Sequence, residues 1–403
     1  MSRETMPKTT VTCGADRLLG EKTFCALVKG KRVGAVVNHT AVTSDYTFWP
    51  SVLEARTGAK LEVIFTPEHG LWGQEQDQVP VEASAKSAWG VPVKSLYGSG
   101  AESLKPDPAE LSGLDLVLFD IQDVGSRFYT YIYTMAYVME AAGEAGVGVV
   151  ILDRPNPLGG EKVEGPALEP GFESFVGRFA GMPVRHGVTA AELALYFHAE
   201  HGVGEKPEIM PIAGWRRRLT VFDYPAQWVS PSPNMPTPET ALAYPGLCLL
   251  EGTNLSEGRG TTRPFEIFGA PYLDSFALAD ELNRLELPGV IFRPHCFIPT
   301  FADYMGQLCS GAQLHVTDRD AFRPFLTGAA VIWTVSRLAP QVFGWLRRPY
   351  EFVRHIPAID LLFGSDKFRK AIEAGCSFEE LTELCRGEPE NWKKVRKEYL
   401  IYD

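Results

Sequence analysis

A chain of 403 residues is longer than one ordinary core needs, and the usual domain size gives two domains. At 45% hydrophobic and 22% charged it has a globular composition, and a formal net charge of −11 argues against a nucleic-acid partner or an anionic membrane surface. Seven scattered cysteines form neither a disulfide framework nor a zinc spacing, which points to reduced thiols in a cytosol-like compartment.

Residues 1–14 read as a flexible lead-in without the apolar core of a signal peptide. No segment approaches the roughly 18 apolar residues of a membrane span, so a cytoplasmic location is expected. A helix over Asp16–Lys29 precedes a strand over Val33–Val37, whose exit carries Asn38, His39 and Thr40. A helix over Thr47–Thr57 leads to the apolar run Leu61–Thr66, a buried strand that Pro67 stops. Off its end come Glu68 and His69, with Gly70 and Gly73 allowing a sharp turn. Residues 74–92 read as a long loop over this end, and Val93–Tyr97 as a short strand. The glycine-rich exit YGSGAES lacks the full dinucleotide fingerprint, so no nucleotide cofactor is expected.

Leu114–Ile121 is the clearest buried strand and ends in Asp120, Gln122 and Asp123, with Arg127 following. A helix over Phe128–Ala145 closes at Gly146, and the strand Gly148–Leu152 exits into Asp153-Arg154. Apolar strands separated by helices predict a doubly wound parallel sheet, in which these polar exits converge along one edge. Thr189 and Glu192 form a capping box for the next helix, where His198 and His201 read as surface residues. SPSPNMPTPET, from Ser230, reads as a rigid connection between domains. Beyond it come a polar stretch with Glu257, Arg259 and Arg263, then a helix capped by Asp274. Strands near Val290–Arg293 and Gln313–Val316, a helix over Asp320–Leu338 and short helices to the end predict a smaller α/β domain.

The inventory lacks a nucleophile elbow, and no histidine set has metal-ligand spacing. A carboxylate pair, Glu68 with Asp120 or Asp123, suits acid/base work on an acetal: one carboxyl stays protonated for the leaving oxygen while the other stays ionised. Trp72, Tyr97, Tyr129 and Tyr131 are aromatic candidates for a sugar face. A metal-dependent hydrolase and a non-catalytic glycan-binding protein on the same scaffold stay open as alternatives.

PEHGLWG (67–73), FDIQDVGSRFYTYIYT (119–134), LDRPNPLGG (152–160), SPNMPTPETALAYPG (232–246) and EGTNLSEGRGTTRPFEIFGAP (251–271) resemble the NamZ-type exo-β-N-acetylmuramidases. The resemblance implies a Rossmann-like domain plus a smaller α/β domain, with the site in the cleft between them. We place the divisions at a lead-in 1–14, a catalytic domain 15–230 and a completing domain 231–403. It further implies release of N-acetylmuramic acid from the non-reducing end of peptidoglycan fragments, with Glu68 as the catalytic acid. Departures are Asn38-His39, where Asn-Gln is usual, and Ser126 in place of alanine; many relatives also carry an export signal. The candidate catalytic residues are therefore Glu68, Asp120 and Asp123. Candidate substrate-binding residues are Asn38, His69, Arg127, Tyr129, Asn234, Glu257, Arg259 and Arg263, with no metal and no cofactor. The lactyl carboxylate of the sugar calls for arginine, for which Arg259, Arg263, Arg127 and Arg185 are the candidates.

Overall fold

The computed structural model describes residues 10–76, 87–98, 100–225, 228–387 and 389–403. Most of the lead-in and the middle of the 74–92 loop lie outside these residues. The chain enters the fold early, because Thr12 pairs with Ala213 through two backbone bonds of 2.9 Å.

Strands β1 (Arg32–Val37), β2 (Lys60–Thr66), β3 (Val93–Ser95), β4 (Leu116–Asp120) and β5 (Gly148–Leu152) follow in chain order, with helices in the β1–β2, β3–β4 and β4–β5 connections. A two-stranded antiparallel ribbon, β6 (Glu164–Ala167) with β7 (Pro183–Arg185), precedes β8 (Glu208–Met210). The parallel sheet runs in the order β3-β2-β1-β4-β5-β8. Its four central strands, β2, β1, β4 and β5, are largely buried on both faces, as the unbroken apolar runs require. Val36, Phe65, Phe119 and Ile151 face one core, and Ala35, Ile64, Leu118 and Val150 the other.

The second half builds an antiparallel sheet, β10-β11-β9, from β9 (Ile267–Ala270), β10 (Val290–Phe297) and β11 (Cys309–Val316). Helix Ser275–Arg284 packs on it and Pro324–Leu338 packs against that helix, the first capped by Asp274, whose Oδ1 accepts from Ala277 N at 2.8 Å. The first of the two sheet cores runs on without a break into this half through Leu247, Phe268, Val331 and Phe363.

Local chemistry moves several predicted boundaries. The helix expected over Asp16–Lys29 is two, Gly14–Gly20 and Lys22–Val28, because Glu21 between them is extended. That expected over Thr47–Thr57 is a 3₁₀ turn, with Pro50 in it, and then Leu53–Thr57, ended by Gly58 at φ 74°. The capping box of Thr189 and Glu192 forms as read. His198 and His201 spend a ring nitrogen each on Gly204 O and the Tyr196 hydroxyl. Among the described residues no helix is long and apolar enough to cross a membrane, and no three metal-ligating side chains gather.

Candidate active site

The C-terminal end of β2 delivers Glu68 and His69 into a cleft shared by the two halves of the chain. His69 at φ 73° and Gly70 at φ 77° make the backbone reverse directly after the carboxylate. A left-handed conformation at a non-glycine residue is a strained one of the kind found at functional sites. His69 Nδ1 is held at 2.9 Å by Glu75 O. The same half contributes Tyr129 and Tyr131, and burial pushes both hydroxyls far up.

The opposite wall comes from the second half: Tyr244, Glu251, Arg259, Phe265, Tyr350 and Glu351. Arg259 stands between Gly258 (φ 86°) and Gly260 (φ 77°), and a Cβ at Gly260 would lie 2.6 Å from Phe301 O. Glycine is required for so close an approach. The guanidinium pairs with Glu251 at 2.7 Å and Glu257 at 3.1 Å, and lies over the Phe265 ring with 5.1 Å to its centroid. Tyr350 donates to the other oxygen of Glu251 at 2.6 Å. Glu257 sits behind this network at the edge of an adjoining cavity, its carboxyl pushed up by burial against the opposing pull of Arg259.

The proline-rich stretch from Ser230 does more than connect domains. Ser232 and Asn234 line the cleft floor. Tyr131 donates to Pro231 O at 3.0 Å, Asn38 donates to the same carbonyl at 3.2 Å, and His39 Nε2 meets Ser230 O at 2.5 Å. Asn38 therefore positions this strip from below, without lining the cleft itself. Asn234 Nδ2 donates to Gln76 at 3.2 Å.

Of the sequence-predicted residues, Glu68, His69, Tyr129, Asn234 and Arg259 come together here, with Glu257 directly behind. Asp120 does not. It is fully buried, bound by Arg154 through two bonds and by Trp49 Nε1 at 2.6 Å. Its strand end is where the pattern placed it, but the neighbouring strand end neutralises it. Asp123 is also buried behind the wall; it accepts from Gly125 N at 2.8 Å, and His186 Nε2 stands at 3.4 Å. Arg127 is wholly buried and donates to the carbonyls of Pro166, Met182 and Leu362, so it ties the two halves together away from the cleft. Arg263 is half-exposed, paired with Glu266 at 3.0 Å outside the cleft. Arg185 lines a different cavity with Glu164. Trp72 is 56% exposed against Phe48, and Tyr97 packs on Phe175, so neither aromatic lines the cleft. Tyr350, Glu351 and Glu251 were missed as site residues; the first two stand in a stretch, RRPYEFV, with neither strand nor helix periodicity.

Comparison with known proteins gives a consistent result. Family models described as "Exo-beta-N-acetylmuramidase NamZ, N-terminal" and "Exo-beta-N-acetylmuramidase NamZ, C-terminal" match residues 33–239 and 242–402. A curated relative, "Peptidoglycan beta-N-acetylmuramidase NamZ" of Bacillus subtilis (strain 168), is 43% identical over 99% of this chain and 93% of its own length. Two crystal structures of DUF1343 family proteins from Bacteroides fragilis NCTC 9343 superpose over 98% of the chain. One has a TM-score of 0.87 at 32% identity, covering 100% of its own chain, and the other 0.76 at 30%, covering 99%. The chain belongs to the exo-β-N-acetylmuramidase NamZ family.

Proposed function

We propose that the chain, a glycosidase by family, releases N-acetylmuramic acid from the non-reducing end of peptidoglycan fragments in this cleft, with Glu68 as general acid. The carrying observation is the cleft itself: a strand-end carboxylate on one wall faces an arginine lying over the Phe265 ring on the other. Glu68 gives a proton to the glycosidic oxygen, and a second carboxylate opposes it across C1. Tyr129, Asn234 and His69 are placed to bind the sugar hydroxyls and acetamido group.

The lactyl carboxylate is assigned to Arg259. The guanidinium already faces two carboxylates, Glu251 and Glu257. Burial favours the protonated form of Glu257, which lowers the negative charge beside the guanidinium and favours a substrate carboxylate there. We keep the division at 230/231, where the strip that floors the cleft begins. A reducing, cytosol-like compartment suits the seven free thiols. The test is hydrolysis of a chromogenic β-N-acetylmuramide beside its N-acetylglucosamine counterpart, with and without chelator. Turnover of the muramide, unaffected by chelator, is expected; activity restricted to the glucosaminide would refute the assignment.

A further inference from the structure

Among the described residues, three carboxylates line the cleft: Glu68, Glu251 and Glu351. Glu251 has both oxygens engaged, one by Arg259 at 2.7 Å and the other by the Tyr350 hydroxyl at 2.6 Å. Glu351 is the other carboxylate that the second half brings to the cleft, on the wall opposite Glu68, and its backbone is unusual. Tyr350 and Val353 exchange two backbone hydrogen bonds, of 3.0 and 2.9 Å, closing a two-residue turn. The two residues inside it are Glu351 at φ 44° and Phe352 at φ 67°. Such a turn is the natural place for asparagine and glycine, because two successive left-handed residues carry a steric cost for any other side chain. Here it holds a glutamate and a phenylalanine.

Each of the two has a place in the fold. Phe352 reaches across to the first half, with ring centroids 6.1 Å from Tyr97 and 6.3 Å from Phe175. That contact fixes the turn against the opposite half of the molecule. Glu351 is only 8% exposed and its side chain faces the cleft. A purely structural turn would be better served by asparagine at this position, so the retained strain points to work done by the carboxylate.

We infer that Glu351 is the second catalytic carboxylate, the partner of Glu68; this rests on the muramidase activity proposed for the cleft. Glu68 protonates the glycosidic oxygen as the C1–O bond breaks. Water adds to C1 and loses its proton to the ionised Glu351. After the two sugars leave, Glu351 returns that proton to solvent and Glu68 takes one up, so the cycle closes without a co-reactant.

The experiment compares wild type, Glu68→Gln, Glu351→Gln and Glu351→Asn on a chromogenic β-N-acetylmuramide, with melting temperatures alongside. Both Glu351 variants are expected to lose about 100-fold or more in kcat with little change in KM. Glu351→Asn is also expected to melt no lower than wild type, because asparagine tolerates the left-handed turn. It therefore keeps the test decisive if Glu351→Gln fails to fold. Glu351→Ala should regain activity with added formate or azide, a rescue that a structural role does not give. An active Glu351→Asn enzyme, or no rescue of a folded and inactive Glu351→Ala, would overturn the inference. If wild type itself leaves the muramide intact, the proposed activity fails; if only Glu68→Gln is dead, the assignment of Glu351 alone fails.

Discussion

The two walls of the cleft are built by different means. Glu68 leaves the end of a strand buried on both faces, one of six hydrogen-bonded in parallel, and its backbone is set by the sheet. Arg259 and Tyr350 stand on loops and turns and Glu251 near the end of the short 3₁₀ helix Cys248–Gly252, and what fixes them is one another: an ion pair, a hydroxyl on a carboxylate and a ring beneath a guanidinium. A wall of the first kind keeps its shape when one side chain is changed. In the second, removing one member disturbs the rest. Chemistry should therefore be lost cleanly from the first wall, while changes at Arg259, Glu251 and Tyr350 should appear as altered recognition.

The largest effect expected is at Glu68. Glu68→Gln preserves shape and hydrogen-bonding reach but cannot give up a proton of suitable acidity, so kcat should fall about 10²–10⁴-fold. The melting temperature should barely move, because the sheet still holds the loop. Near-normal turnover on a substrate with a poor leaving group would show that the acid lies elsewhere.

Arg259→Ala is next, and it is the sharper probe of the second wall. Losing a buried charge-assisted partner costs about 2 kcal/mol or more, roughly thirtyfold in KM for the muramide. The variant also leaves Glu251 and Glu257 facing each other without their shared cation, so some loss of melting temperature is expected. The muramide should suffer much more than any residual action on the glucosaminide. Equal losses on both sugars would reduce Arg259 to a structural tie. Tyr350→Phe is a smaller test of the same wall. It removes one hydrogen bond to Glu251, about 1 kcal/mol, and should raise KM about fivefold with kcat unchanged. A fall in kcat alone would place Tyr350 with the chemistry instead.

The same difference explains what the sequence reveals. The apolar run Leu61–Phe65 can only be a doubly buried strand, and Pro67 fixes where it ends, so Glu68 is legible as a delivered carboxylate. Asp120 has the same local signature, yet Arg154 from the adjacent strand end occupies it. That pairing depends on strand order, which local pattern does not specify. Arg127 misleads for a related reason: its position after a strand end is correct, but its side chain runs inward to three carbonyls. The Tyr350–Val353 turn carries glutamate and phenylalanine where turn chemistry asks for asparagine and glycine. A turn that breaks the local rule gives no turn signal, and so this part of the second wall stays hidden until the halves are assembled.

The last prediction concerns how firmly the second half is fastened to the first, and should leave catalysis almost untouched. The final residues return to the ends of the parallel strands: Tyr402 donates to Asp153 Oδ2 at 2.6 Å, and Ile401 N donates to Glu192 at 2.9 Å. Burial pushes the Asp153 carboxyl from 3.8 up to about 7, even though Tyr402 and Ala191 N favour its ionised form. With the folded-state value raised, the native protein holds more protons than the unfolded chain between about pH 4 and 7. Stability from this group is therefore fully present below pH 4, declines as pH rises through that window, and is level above about 7. Asp153→Asn removes the titration, so its melting temperature should follow pH less steeply than wild type between 4 and 7. Tyr402→Phe keeps the ring against Trp215 but takes a hydrogen bond from the buried carboxylate, and should lower the melting temperature most at neutral pH, where the group is most ionised. Identical pH profiles for wild type and Asp153→Asn would mean that the carboxylate is ionised throughout, and that the C-terminal fastening is insensitive to pH in this range.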